Sequence, residues 1–487
     1  MYVLGLDLGT GSLKGVLVNK FGEVIATESS DYPLHTPAPG YSEQDPSLWT
    51  TTCDLVMKKL SETVADFKTG LQAISFSGQM HSLVLLDADK KVIRNAILWN
   101  DVRTTAQCLT IKNKFPDIVK VTKNIPLEGF TLPKILWIQE NEAANWKKAK
   151  HILLPASYLN FYLTGTQYMD YSDAAGTLML DVLGKTWSQE IAQAFGIDMS
   201  MFPNLTTSSG YTGDLLPAVK EKYGFTHDIK VFAGAADNAA AAVGSGIVEK
   251  GKAWASIGTS GVFGTYEEKH AGYGGQIHYF NHSLEDAFYS MGVTLAAGDS
   301  LTWFKETFAP DTSFDDLLSG IEDLPINLFF TPYISGERTP HPDSKIRGSF
   351  IGMDRTHTIK NFAKAVLEGI TYSLKDCQTI MEGVGHQFNN IVSIGGGAKN
   401  KTWLQMQADI FNSTVVTLKT EQGPGLGAAM FAAVGAGWFQ DLKECADSFV
   451  EYSDSYQPNP VKVEAYQKAY DLYQTIYGQT KDICHKL

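Results

Sequence analysis

The sequence predicts an α/β protein made of two similar halves, and three observations predict it. A strand, a small-residue turn and a second strand open the chain, and the same grammar returns near residue 255. Strand and helix signals alternate within each half, which implies layered α/β architecture. At 487 residues the chain exceeds one ordinary hydrophobic core, so two domains of roughly 200 to 250 residues are expected.

The first hairpin runs from Tyr2 to Leu6, turns through Asp7-Leu8-Gly9-Thr10-Gly11-Ser12, and returns along Lys14 to Val18; Glu23 to Thr27 reads as a third strand. Thr50 to Phe67 has helical periodicity and leads into a strand, Gln72 to Phe76. From about residue 104 to 226 the pattern turns helical and loop-rich, which predicts a lobe inserted in the first domain and packed by Trp137, Tyr158, Phe161 and Tyr162. Ile229 to Gly234 reads as a returning strand, and the domain change is placed near 245, giving domains 1–245 and 246–487. In the second half, the hairpin is Ala253 to Ile257, Gly258-Thr259-Ser260-Gly261, and Val262 to Gly264. Asn361 to Glu382 reads as a long amphipathic helix, Ile391 to Ile394 as a buried strand, Thr402 to Phe411 as a helix, and the residues after about 455 as a terminal helix.

Hydrophobic residues make up 44% of the chain and charged ones 19%, so both domains can bury a core. The net charge of −13 argues against non-specific binding of nucleic acid or anionic lipid, which reward Lys and Arg. Five scattered cysteines, with no C-x-x-C pair, argue against a disulfide framework or a zinc site and fit a reducing cytoplasm. The N-terminus begins as a strand with no basic region ahead of an apolar segment, and no long apolar run occurs, so secretion and membrane spanning are not expected.

Tight glycine turns let backbone N–H groups approach phosphates without a Cβ in the way, and Thr and Ser hydroxyls add donors. Both hairpin turns have this chemistry, and an ordinary hairpin would explain either one alone. Neither is a P-loop or a Rossmann turn, since G-x-x-x-x-G-K-[ST] and G-x-G-x-x-G before a helix are absent there. Gly395-Gly396-Gly397-Ala398-Lys399-Asn400 joins a strand to a helix, where glycine permits a flat ligand, or equally a closely packed helix. Ser77-Gly78-Gln79-Met80-His81 follows a strand, at the end where α/β proteins place ligand groups. Trp99-Asn100-Asp101-Val102-Arg103 gathers aromatic, amide, carboxylate and cationic groups, with core and salt-bridge roles as the alternatives. Asp237 stands between a strand end and a helix of small residues, as an N-cap or as a general base facing a hydroxyl.

The paired turns resemble the phosphate-binding hairpins of the actin-like (ribonuclease H-like) ATPase superfamily. That resemblance implies two duplicated domains with an ATP cleft between them. It places Asp7 near magnesium, and Gly396, Gly397 and Asn400 under the adenosine. Tyr41-Ser42-Glu43-Gln44-Asp45-Pro46, Ser77 to His81, Leu98 to Asp101, Asp237-Asn238-Ala239-Ala240 and Ser335-Gly336-Glu337-Arg338-Thr339-Pro340-His341 narrow it to the FGGY family of carbohydrate kinases, from residue 1 to beyond 440. The family pattern implies Asp237 as catalytic base, and Met80, His81 and Asn238 against the sugar. It implies Thr10, Lys14, Gly258, Thr259 and Gly298 near the nucleotide phosphates. For Ser335 to His341 it suggests only an ordered loop.

The expected reaction is phosphorylation of a small sugar by ATP with Mg2+, the first domain holding the sugar and the second the nucleotide. The sugar implied is D-xylulose, phosphorylated on carbon 5; gluconate or another ketose is the alternative within the family, and an actin-like or chaperone-like ATPase switch the alternative outside it. Sugar and ATP are the expected partners, with no nucleic acid and no membrane. A homodimer is compatible with this reading.

Overall fold

Val3, Leu4, Leu6 and Leu8 are all buried, so the first strand is covered on both faces, as its nearly continuous apolar sequence requires. The strand is Tyr2–Leu8, paired antiparallel with Ser12–Asn19, which pairs with Val24–Asp31. On its other side Tyr2–Leu8 pairs in parallel with Leu71–Gly78. Lys230–Phe232 and the edge strand Tyr211–Asp214 complete the order, and the short strand Ala235–Ala236 also joins Leu71–Gly78.

The helix Pro46–Thr63 covers the Leu4 face, with Trp49, Cys53, Val56, Met57 and Leu60 buried. Asp45 caps it by accepting from Ser47 N at 2.9 Å, and Pro46 stands in the first turn, where its missing N–H costs nothing. The Gly5 face receives a helix from far along the chain, Pro424–Gly435. A Cβ on Gly5 would lie 2.1 Å from the Gly425 carbonyl oxygen, so only glycine allows this approach. The same helix packs on Asp237–Gly244, where a Cβ on Gly427 would meet the Ala240 oxygen at 2.0 Å. The small-residue run 239–244 is thus explained by close helix packing.

The chain from Met1 to Leu487 is described throughout by the computed structural model. It divides into two compact units: Met1–Val248 with Tyr279–Tyr289 and Gln422–Val450, and Glu249–His278 with Ser290–Glu421 and Glu451–Leu487. Residues 104–226 contain short helices and strands, among them Thr131–Asn141, Pro155–Thr164 and Tyr171–Ala175. The aromatic residues expected to pack a separate lobe do otherwise. Tyr158, Phe161 and Tyr162, all on Pro155–Thr164, pack against the main core of the first unit, because that helix lies on Leu71–Gly78. Trp137 stacks edge-on with Tyr41.

The second sheet repeats the first in strand order. Tyr452–Tyr456, Thr414–Leu418, Asn390–Gly395, Lys252–Ile257, Gly261–Glu267 and Phe288–Thr294 follow one another, with His278–Asn281 added at the end. As in the first sheet, the central strand Lys252–Ile257 has an antiparallel hairpin partner on one side and a parallel strand on the other. The helices Ile359–Gly383, Lys401–Phe411 and Pro460–Cys484 belong to this unit. No helix is long and apolar enough to cross a membrane.

Candidate active site

In the first unit the parallel register pairs Ala235 with Ser77 and Ala236 with Gly78. Two chain segments therefore leave adjacent strand ends together, one carrying Met80–His81 and the other Asp237–Asn238. Asn238 Nδ2 lies 3.7 Å from Met80 Sδ, and Tyr289 Oη lies 3.8 Å from the same sulfur.

Asp237 is the first residue of its helix, with Ala236 in the cap position, so the aspartate is not the N-cap its sequence context allows. Its Oδ1 accepts instead from Asn238 N at 2.7 Å and Asn238 Nδ2 at 2.9 Å. Burial raises its pKa to about 7, the Asp7 carboxylate adding to the rise and the Asn238 donors opposing it.

His81 is held in a left-handed backbone conformation, φ 67°, uncommon for a residue with a Cβ. Its ring Nδ1 lies 2.6 Å from the Gly176 carbonyl oxygen. A carbonyl can only accept, so Nδ1 carries a proton in this contact. Phe130 flanks the ring at 4.7 Å between centroids. Gly176 must be glycine, since a Cβ there would meet His81 Nδ1 at 2.8 Å.

Asp7 is the next-to-last residue of the first strand, opposite Lys14. Burial raises its carboxyl to about 6, with Lys14 pulling the other way. The turn after it is braced by two of the sequence motifs. Gln44 Nε2 donates to the Thr10 carbonyl at 2.6 Å, and Trp99 Nε1 donates to Thr10 Oγ1 at 2.9 Å. Gln79 Nε2 in turn donates to Gln44 Oε1 at 3.2 Å.

Arg103 has a structural role. Its Nε lies 2.9 Å from Asp101 Oδ1, its Nη2 2.7 Å from Asp101 Oδ2 and 2.8 Å from Glu43, and its guanidinium carbon 3.8 Å over the Tyr41 ring. Asp101 Oδ2 also accepts from Ser42 N at 2.6 Å, tying the motif around Tyr41 to that around Asp101.

Sequence reading missed two buried groups. Lys134 is fully buried on Thr131–Asn141 and donates to the carbonyls of Gly129, Phe130 and His81. Asp173 is buried with neither carboxylate oxygen hydrogen-bonded, and its pKa is pushed well up by burial and by the carboxylates of Asp170 and Asp237. Lys134 looks like an ordinary helix lysine in sequence, and Asp173 lies in a loop-rich stretch with no periodic signal.

In the second unit one cavity of about 590 Å³ is lined by Gly258, Thr259, Gly298, Gly396, Gly397 and Asn400 together. Phe314, Leu318 and Trp403 add apolar wall, and no motif in the sequence singles them out. The Gly258–Thr259 turn is held from Gly298–Phe308: Gly298 N donates to Gly258 O at 2.8 Å and Ala297 N to Thr259 O at 2.9 Å. A Cβ on Gly298 would stand 2.5 Å from Gly258 O. Gly397 also serves packing, since a Cβ there would meet the Ile257 side chain at 2.6 Å. Asn400 caps Lys401–Phe411 through its Oδ1, 2.9 Å from Trp403 N. Thr10, Lys14 and Asp7 belong to the first unit.

Comparison with known proteins identifies the class to which this fold belongs, the carbohydrate kinases. The N-terminal domain of the FGGY family of carbohydrate kinases matches residues 2–244 and its C-terminal domain residues 253–436. The chain belongs to this family.

It is 51% identical over 492 residues to a xylulose kinase of Lactococcus lactis, covering 100% of this chain and 98% of that one. The crystal structure of a ligand-bound xylulose kinase from Lactobacillus acidophilus matches at TM-score 0.95 and 29% identity, covering 100% and 99%. A gluconate kinase structure from the same organism matches at TM-score 0.94 and 29% identity, covering 98% of each chain, so the fold is shared by kinases of different sugars.

Proposed function

We propose that this carbohydrate kinase transfers the γ-phosphate of ATP to D-xylulose, giving D-xylulose 5-phosphate and ADP, with Asp237 as general base. The observation that carries the reading is the pairing of Ala235–Ala236 with Ser77–Gly78, which sets Asp237–Asn238 beside Met80–His81. Identity of 51% to a xylulose kinase along the whole chain supports the choice of sugar.

Met80, His81 and Asn238 orient the sugar, His81 through a ring held at Nδ1 by the Gly176 carbonyl. As the primary hydroxyl oxygen bonds to the γ-phosphorus and the bond to ADP breaks, its proton passes to the Asp237 carboxylate. A base of this kind contributes about 10² to 10⁴-fold. A carboxyl raised to about 7 is matched to neutral pH, where it is partly ionised and basic enough to take the proton. Gly258, Thr259, Gly298, Thr10 and Lys14 serve the phosphates, and Gly396, Gly397 and Asn400 the adenosine; a cavity of about 590 Å³ with apolar and glycine walls suits a nucleotide.

Asp7 is the residue that would hold magnesium. When bound, the ion neutralises phosphate charge. Five cysteines without disulfides support a place in the cytoplasm.

The test is coupled ADP release with D-xylulose, D-ribulose, gluconate and glycerol. D-Xylulose should give the largest stimulation, and ADP release no faster than without sugar would overturn the reading.

A further inference from the structure

The loop Ser335 to His341 carries a group whose contacts lead to the nucleotide cavity. Glu337 is 3% exposed, and its Oε1 accepts from two main-chain donors, Arg338 N at 2.7 Å and Leu295 N at 3.1 Å. Oε2 is buried without a hydrogen-bond partner. The loop is closed on itself by Glu337 N to Asp343 O and Asp343 N to Glu337 O, both 3.0 Å. It is stitched to the strand Phe288–Thr294 by Thr339 N to Val293 O at 3.0 Å and Val293 N to Thr339 Oγ1 at 3.2 Å.

Leu295 is the first residue after that strand, and Ala297, Gly298 and Asp299 follow almost at once. All three donate to the Gly258–Thr259 turn: Ala297 N to Thr259 O at 2.9 Å, Gly298 N to Gly258 O at 2.8 Å, and Asp299 N to Thr259 O at 3.2 Å. A continuous path of short contacts therefore runs from the Glu337 carboxyl to the turn lining the cavity.

We propose that Glu337 is a positioning residue for this turn: by holding Leu295 N it fixes where the chain leaves the strand, so that residues 297–299 keep Gly258 and Thr259 in the conformation that receives the phosphates of ATP. The proposal rests on reading the cavity as the nucleotide site. Burial raises the Glu337 carboxyl to about 8, opposed by its two main-chain donors, so near pH 7 it is mostly a neutral acid that accepts through one oxygen. Glutamine keeps that acceptor and puts an amide where the acid hydroxyl stands; alanine removes both.

The experiment compares wild type, Glu337→Gln, Glu337→Asp and Glu337→Ala as full-length proteins. ATP affinity is read by calorimetry, KM for ATP and for D-xylulose and kcat by ADP release, and folding by thermal melting. Glu337→Ala should weaken ATP binding and raise its KM at least tenfold with the sugar KM within twofold, and Glu337→Gln should stay within about threefold of wild type in both. Should the alanine variant fail to fold, Glu337→Asp, which draws the acceptor back by one methylene, is expected to weaken ATP selectively. Unchanged ATP affinity in the folded variants, equal damage to both substrates, or a glutamine variant as impaired as alanine would overturn the proposal. Calorimetry needs no sugar, so a wild type that binds ATP but phosphorylates no sugar would fault the functional reading and leave this comparison intact.

Discussion

The Lys134 Nζ lies 3.2 Å from the main-chain carbonyl of His81, and the lysine is fully buried with no carboxylate hydrogen-bonded to it. That carbonyl also accepts from Thr131 Oγ1 at 3.0 Å. Two donors from one helix thus hold a residue at φ 67°, a conformation that costs about 1 to 3 kcal/mol and persists only where the surroundings enforce it.

Lys134→Met keeps the apolar stem and removes the donors. The sugar KM should rise about tenfold, the equivalent of one or two hydrogen bonds, with the ATP KM unchanged. Burial lowers the Lys134 pKa to about 7. The unfolded chain, with a lysine near 10.4, then binds more protons than the folded one between about pH 7 and 10, so this group's contribution to stability rises with pH across that window. Melting curves of wild type and variant at pH 7 and pH 9.5 should show the wild type gaining relative to Lys134→Met at the higher pH.

Asp237→Asn should leave ATP binding nearly unchanged and reduce kcat by at least about 10²-fold. A variant retaining more than about a tenth of wild-type turnover would refute the base assignment. Burial, with Asp7 as the second cause, raises the Asp237 pKa to about 7, and the base works ionised. The kcat/KM for sugar should therefore climb with pH through about 7, and a limb near 4 would show that the carboxylate is not desolvated in solution.

Arg103→Lys tests the network under the first turn. Lysine cannot reproduce the paired contacts to Asp101 while also reaching Glu43 and stacking on Tyr41. The melting temperature should fall by an amount corresponding to about 1 to 3 kcal/mol, with kcat reduced less than fivefold. A kcat loss as large as that of Asp237→Asn would mean that Arg103 acts on the reactants directly.

Local chemistry made much of the protein legible in its sequence. Apolar runs either side of a small-residue turn marked the hairpins Tyr2 to Val18 and Ala253 to Gly264, and a 3.6-residue period marked the long helix now seen as Ile359–Gly383, because both signals lie within a short window of sequence. Asp237 and Met80–His81 were legible as strand-end residues, and the family resemblance joined them.

Only the tertiary structure decided what depends on residues distant in the chain. Pro424–Gly435 returns to the first unit and makes Gly5 obligatory, a contact between positions over four hundred apart that no local window contains. Tyr158, Phe161 and Tyr162 serve the main core and not a separate lobe, since helix placement and not composition chooses the face they meet. Nothing local in the sequence singles out Lys134, and for Glu337 the motif suggested only an ordered loop; folding makes both buried groups with main-chain partners. The sequence by itself determined the elements, the repeated turns and the family; folding determined which buried polar groups hold those turns in place, because a hydrogen bond removed from water depends on geometry that sequence spacing does not record.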